Sequence, residues 1–170
     1  MQSLQQTIAQ IASTQGCFLK PPNGLPVLPH GFELPEDLRS FYLVAGGATL
    51  FSGAGFQFNI VAPSDLVSTN LRLVGSAQCG DISDSWFSVA EDGNGDYLSI
   101  DLGPGHRGRC YDSFHETHGV VGCTPVIATS FTDLLLRLLA NRGEHPYWLA
   151  PGFASLGDAY DGIGKASPPA

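Results

Sequence analysis

Hydrophobic and polar positions recur along this chain with two different periods, and each change of period marks an element. Leu4, Ile8, Ile11 and Ala12 stand at helical spacing, so residues 2–14 are expected to form an amphipathic helix that Gly16 ends. "KPPNGLPVLPHGFELP" has no periodicity. Its prolines remove backbone donors and restrict φ, which predicts an extended surface connection. The helical period returns in "PEDLRSFYLVAGG". Pro35 takes a first-turn position, Glu36 and Asp37 favour the helix N-terminus, and Gly46 and Gly47 stop the helix. Leu38, Phe41, Tyr42 and Ala45 make its apolar stripe.

Alternation with period two follows. "GFQFNI" predicts a strand, and "PSDLVSTNLRLVG" a third helix. "SWFSVAED" and "DYLSIDL" are two strands joined by "EDGNGD", whose Gly and Asn suit a reversing turn. "RCYDSF" and "TPVIAT" are two more. Ser130 then caps a last helix, with Asp133 in capping-box position and Phe131, Leu134, Leu135, Leu138 and Leu139 along one face. Gly143 follows its end. The rings of "HPYWLAPGFASLGDAYDG" would be costly to leave in water. One domain over residues 1–170 is therefore expected, with a core at about 30–143, a segment 144–164 packed back on it, and a loose "KASPPA" end.

Charge narrows the partners. The formal net charge is −8, with 14% charged residues. This argues against nucleic acid or an anionic membrane, which need a basic footprint, and suits a cationic protein. No basic-plus-apolar secretory leader begins the chain, and no apolar run approaches the ~20 residues of a membrane span, so a cytosolic protein is expected. Cys17, Cys79, Cys110 and Cys123 lack C-x-x-C spacing and are expected as free thiols.

Three motifs crowd into "GNGDYLSIDLGPGHRGRCYDSFHETHG", and each fails on spacing. A calcium loop begun at Asp92 needs Gly at its sixth position and Glu at its twelfth, where Tyr97 and Gly103 stand. "GPGHRG" follows a strand, but no helix opens behind it to meet a pyrophosphate. "HETH" sets His115 and His118 three apart, whereas the helical zinc motif needs four. Asp112, His106, His115, Glu116 and His118 remain the residues of an alternative reading, a metal-binding enzyme. The principal expectation is no metal and no catalytic set. Asp81, Asp84, Glu91, Asp92, Asp96 and Asp101 instead make an acidic, candidate partner-binding face, since no Lys or Arg lies between Arg72 and Arg107.

The motifs together carry a family likeness. "LPEDLRSFYLVAGGATLF", the Gly-Asp turn with its strand ending in Asp-Leu, the strand carrying Tyr-Asp, and "SFTDLLLRLL" resemble the Smi/Knr-like branch of the SUKH superfamily, over roughly residues 30–160. The resemblance implies an α+β fold: a mainly antiparallel sheet of about six strands with helices packed on it. In the matched turn, Gly95 would support the bend and Asp96 would hydrogen-bond its backbone. It also implies a non-enzymatic, cofactor-free binding domain. Bacterial members of the branch are commonly immunity proteins that neutralise a cognate toxin, here expected to be a cationic domain. Fungal relatives regulate cell-wall synthesis through protein contacts, which is a second alternative.

Overall fold

The computed structural model describes residues 2–161. The expected loose end, "KASPPA", lies outside them. The first helix, α1 (Leu4–Ser13), opens on a reciprocal cap in which Ser3 accepts from the Gln6 N–H and Gln6 returns the bond. Its inward stripe is Leu4, Thr7, Ile8 and Ile11, while Ala12 is exposed. The segments that follow are β1 (Phe18–Leu19), α2 (Glu36–Val44), β2 (Ala48–Leu50) and β3 (Phe58–Ile60). A 3₁₀ turn (Pro63–Asp65) and α3 (Thr69–Leu73) lead to β4 (Trp86–Glu91), β5 (Tyr97–Asp101), β6 (Cys110–Ser113) and β7 (Val126–Ala128). Helix α4 (Phe131–Asn141) and a 3₁₀ turn (Tyr147–Leu149) close the described chain.

The fold is α+β. Among the described residues seven strands form one sheet in sequence order, each antiparallel to the next, close to the about six expected. The strands that sequence periodicity missed are β1 and β2. They are two and three residues long, too short for alternation to show. The third helix is also shorter than expected. "PSDLVSTNLRLVG" splits at Leu66–Ser68, and only Thr69–Leu73 is α-helical. Gly46 and Gly47 do more than stop α2. A Cβ on Gly46 would run into the Pro21 carbonyl, and one on Gly47 would stand 2.7 Å from the Ile60 carbonyl oxygen. The proline-rich connection is thus laid against the sheet where only glycine fits.

The sheet is buried on both faces. Helices α1, α2 and α4 cover one, packing on Ile60, Phe87, Val89, Leu98, Ile100 and Cys110. On the other, Trp86 stacks on Tyr111 at 4.2 Å, with Val126, Ala159, Ile82 and Leu156 around them. The segment after α4 joins the two faces. Trp148 is buried on the helix side, residues 157–159 run along β7 through Val126 N–H to Gly157 and Ala159 N–H to Thr124, and Ala159 closes the second face. That arrangement also covers a sheet edge that would otherwise be open to pairing. Leu149, expected to pack with its neighbours, is 70% exposed.

Candidate partner-binding site

The six candidate acids do not form one face. Trp86 pairs with Asp101 at one end of the β4–β5 hairpin and Glu91 with Tyr97 at the other. Asp81, Asp84 and Asp101 therefore gather at the Trp86 end, and Glu91, Asp92 and Asp96 at the turn. Five residues of strand, about 17 Å, separate Asp96 from Asp101.

At the first end the acids hold loops. Asp101 is 3% exposed. Its Oδ1 accepts the Ser85 hydroxyl and the Gly103 N–H, both at 2.7 Å, and its Oδ2 lies 3.9 Å from His106 Nδ1. A Cβ on Gly103 would come to 3.0 Å from that same carboxylate oxygen. The first glycine of "GPGHRG" thus serves a close approach to Asp101. Asp81 accepts the N–H and hydroxyl of Ser83, and Asp84 accepts the Gly80 N–H. Asp81, Asp101, His106 and Tyr160 border a shallow pocket of about 460 Å³.

At the turn the expected roles are exchanged. Asp92, not Asp96, caps the reversal: its Oδ1 accepts the N–H of Asn94 at 2.7 Å and of Asp96 at 3.2 Å. Gly93 and Gly95 supply the positive φ the turn requires. Asp96 instead reaches across to the HETH loop, accepting the His115 N–H at 2.9 Å with the ring Nδ1 at the same distance. Glu91 has basic neighbours after all. Lys20 and Arg72, distant in sequence, share a small cleft with it. Sequence proximity could not show this, because β1 and α3 bring them there.

His118 goes inward. Its Nε2 lies 2.8 Å from Asn70 Oδ1 and its Nδ1 3.0 Å from the Ser113 hydroxyl. Asn70 uses its amide N–H on the Ser83 carbonyl, so Oδ1 must accept, Nε2 must carry the proton, and Nδ1 takes the Ser113 hydroxyl hydrogen. The same direction runs on through Ser99, Thr69 and Ser88. Burial lowers the His118 pKa, with Asp81 acting weakly the other way. Glu116 is exposed. Among the described residues no three His, Cys, Asp or Glu side chains gather as a metal site.

Beside Asp92 and Asp96 lies a feature the sequence reading missed, an apolar groove of about 630 Å³. Phe56, Phe58, Leu98, Phe114, Trp148 and Leu149 supply its walls, and Asp92, Asp96 and Asp112 its polar end. Asp112 pairs with Leu98 and so shares the helix-covered face. It accepts the Trp148 indole N–H at 2.8 Å. Burial raises its pKa, the indole pulls it down, and Asp96 and Asp92 push it up again. The available signal was a carboxylate in register with Cys110 on the core side of "RCYDSF". It was unreadable because both sheet faces are buried, so alternation did not say which residues point inward.

This is an α+β domain built on a seven-stranded antiparallel meander, with an acid-rimmed groove at the β4–β5 turn. The chain belongs to the SMI1/KNR4 family (SUKH-1), whose model matches residues 29–137. It is also similar to immunity protein YokJ of Bacillus subtilis (strain 168), with 48% identity over 161 residues, 95% of this chain and 98% of that protein.

Proposed function

We propose that this protein is an immunity protein that neutralises a cognate toxin by stoichiometric, non-enzymatic binding. The observation that carries the reading is the end-to-end likeness to an immunity protein, at 48% identity over 95% of the chain. The charge supports a cationic partner: at −8 overall, the protein attracts a basic domain and repels nucleic acid. Many toxins of such systems act on nucleic acids through basic surfaces, so an acidic inhibitor can stand in for the phosphate backbone. The groove end is the favoured contact, because there the exposed apolar side chains of Phe56 and Leu149 stand beside Asp92 and Asp96. Exposed free thiols at Cys79 and Cys123 suit a reducing cytosol as the place of action. No helix among the described residues is long and apolar enough to cross a membrane.

The test is co-expression with a toxin encoded beside the gene, then titration of that toxin's activity. Inhibition should be complete at one inhibitor per toxin. Protection at far lower ratios would mean catalytic reversal of the damage and would end the proposal.

A further inference from the structure

We propose that the groove between the β4–β5 turn and the Tyr147–Leu149 turn receives a segment of the cationic partner in which an apolar side chain is followed by a lysine or arginine. The apolar side chain would lie against Phe58, Leu98 and Trp148, and the cation would reach Asp112 and Asp96. This rests on the immunity reading and adds to it a specific seat and a recognition chemistry.

Three observations converge. First, the groove is of binding size, since about 630 Å³ falls within the ~300–1,000 Å³ of small-ligand sites. Its mouth keeps apolar surface in water: Phe56 is 39% and Leu149 70% exposed. Leu149 is adjacent to the buried Trp148, so the chain turns one side chain in and leaves the next at the rim. Second, its charge has one sign. Asp92, Asp96 and Asp112 line it, and no Lys or Arg among the described residues does. Third, Asp112 stands where an apolar side chain would complete the core, opposite Leu98. Burial raises its pKa, and the Trp148 indole is the side-chain donor that meets it. A carboxylate kept in such a place without a basic partner costs stability, and an incoming cation offsets that cost only in the complex. A buried tryptophan beside a desolvated charge is the kind of centre around which binding hot spots form, with the exposed leucine at its edge excluding water.

Two probes test the proposal on the full chain. One is the purified toxin domain; the other is 2-(2-naphthyl)ethylammonium, with 2-naphthylacetate as the isosteric anion. Leu149→Arg changes an exposed residue, and Asp112→Asn keeps an acceptor for the indole, so both variants should fold. The ammonium probe should saturably shift the NMR signals of the Trp148 indole and the Leu98 amide, and the anion should not. Both variants should weaken the ammonium probe and the toxin about tenfold, the scale of losing one charge-assisted contact. If the toxin binds both variants as well as wild type, the groove is not the seat, although the immunity reading survives. If the toxin does not bind wild type while the ammonium probe fills the groove, the seat stands and the immunity reading falls. Equal binding of anion and ammonium would overturn the cation requirement. Contacts to Trp148 in the free protein from residues 162–170, or from a second copy, would assign the groove to that occupant instead and overturn the proposal.

Discussion

His118 and His115 sit three residues apart and meet opposite fates. His115 is exposed and bound to Asp96, whereas His118 is locked between Asn70 and Ser113 in one neutral tautomer. Protonating His118 would place a second hydrogen against the Ser113 hydroxyl and reverse the donor order of the whole serine–threonine chain. Its folded pKa is lowered by burial. The unfolded imidazole takes a proton as pH falls through about 6.5, and the folded one does not until lower pH. Stability from this residue is therefore complete above about pH 6.5 and is lost as pH falls from there toward the folded pKa. Urea midpoints measured on either side of that value should drop on acidification in wild type, and drop less in His118→Gln. Equal drops would assign the pH dependence elsewhere. The sequence showed two histidines at the wrong spacing for zinc, but not which one the fold would bury.

Among the elements, the Tyr147–Leu149 turn does work out of proportion to its length. The Tyr147 hydroxyl donates to the Ile127 carbonyl at 2.8 Å, and Trp148 packs near Phe58 while its indole holds Asp112. Trp148→Ala should cost about 3–5 kcal/mol, the range for truncating a buried aromatic. Trp148→Phe keeps most of the ring but removes the side-chain donor to the Asp112 carboxylate, for about 1–3 kcal/mol. Leu149→Ala, at an exposed site, should stay within about 0.5 kcal/mol of wild type. Chemical denaturation of the three variants checks the order. A Leu149 variant as damaging as the Trp148 pair would show that the turn is seated differently. Aromatic density predicted that this segment would be costly to expose. Three side chains in a row could not all face one way, and which one stayed out depended on the local 3₁₀ turn.

At the scale of the whole molecule, the acids form two poles at the ends of one hairpin, and they invite separate tests. Asn94 is exposed at the turn and Asp84 at the opposite end. If the groove end meets a cationic partner, Asn94→Lys should slow toxin association several-fold, while Asp84→Lys should change it little. Both rates should fall with salt, because screening shortens the reach of these charges to about 8 Å at physiological ionic strength. Stopped-flow association at low and high salt distinguishes the poles. The opposite ranking, with Asp84→Lys the slower, would move the interface to the Asp81–Asp101 end.

The sequence by itself determined the elements with long, regular periodicity. Helices α1, α2 and α4 and strands β3 to β7 follow from apolar spacing, caps and turn residues, because those signals are local. The quoted motifs carried the family, and the net charge gave the sign of the expected partner. Tertiary structure alone decided the rest. It paired β1 with β2, brought Lys20 and Arg72 beside Glu91, sent Asp101 into the interior, and set Asp112 under Trp148, thirty-six residues further along the chain. Each of these depends on which segments meet across the sheet. A side chain's charge is a property of its residue, but its burial and its neighbours belong to the packing, and the groove exists only where β3, β5, β6 and the closing turn come together.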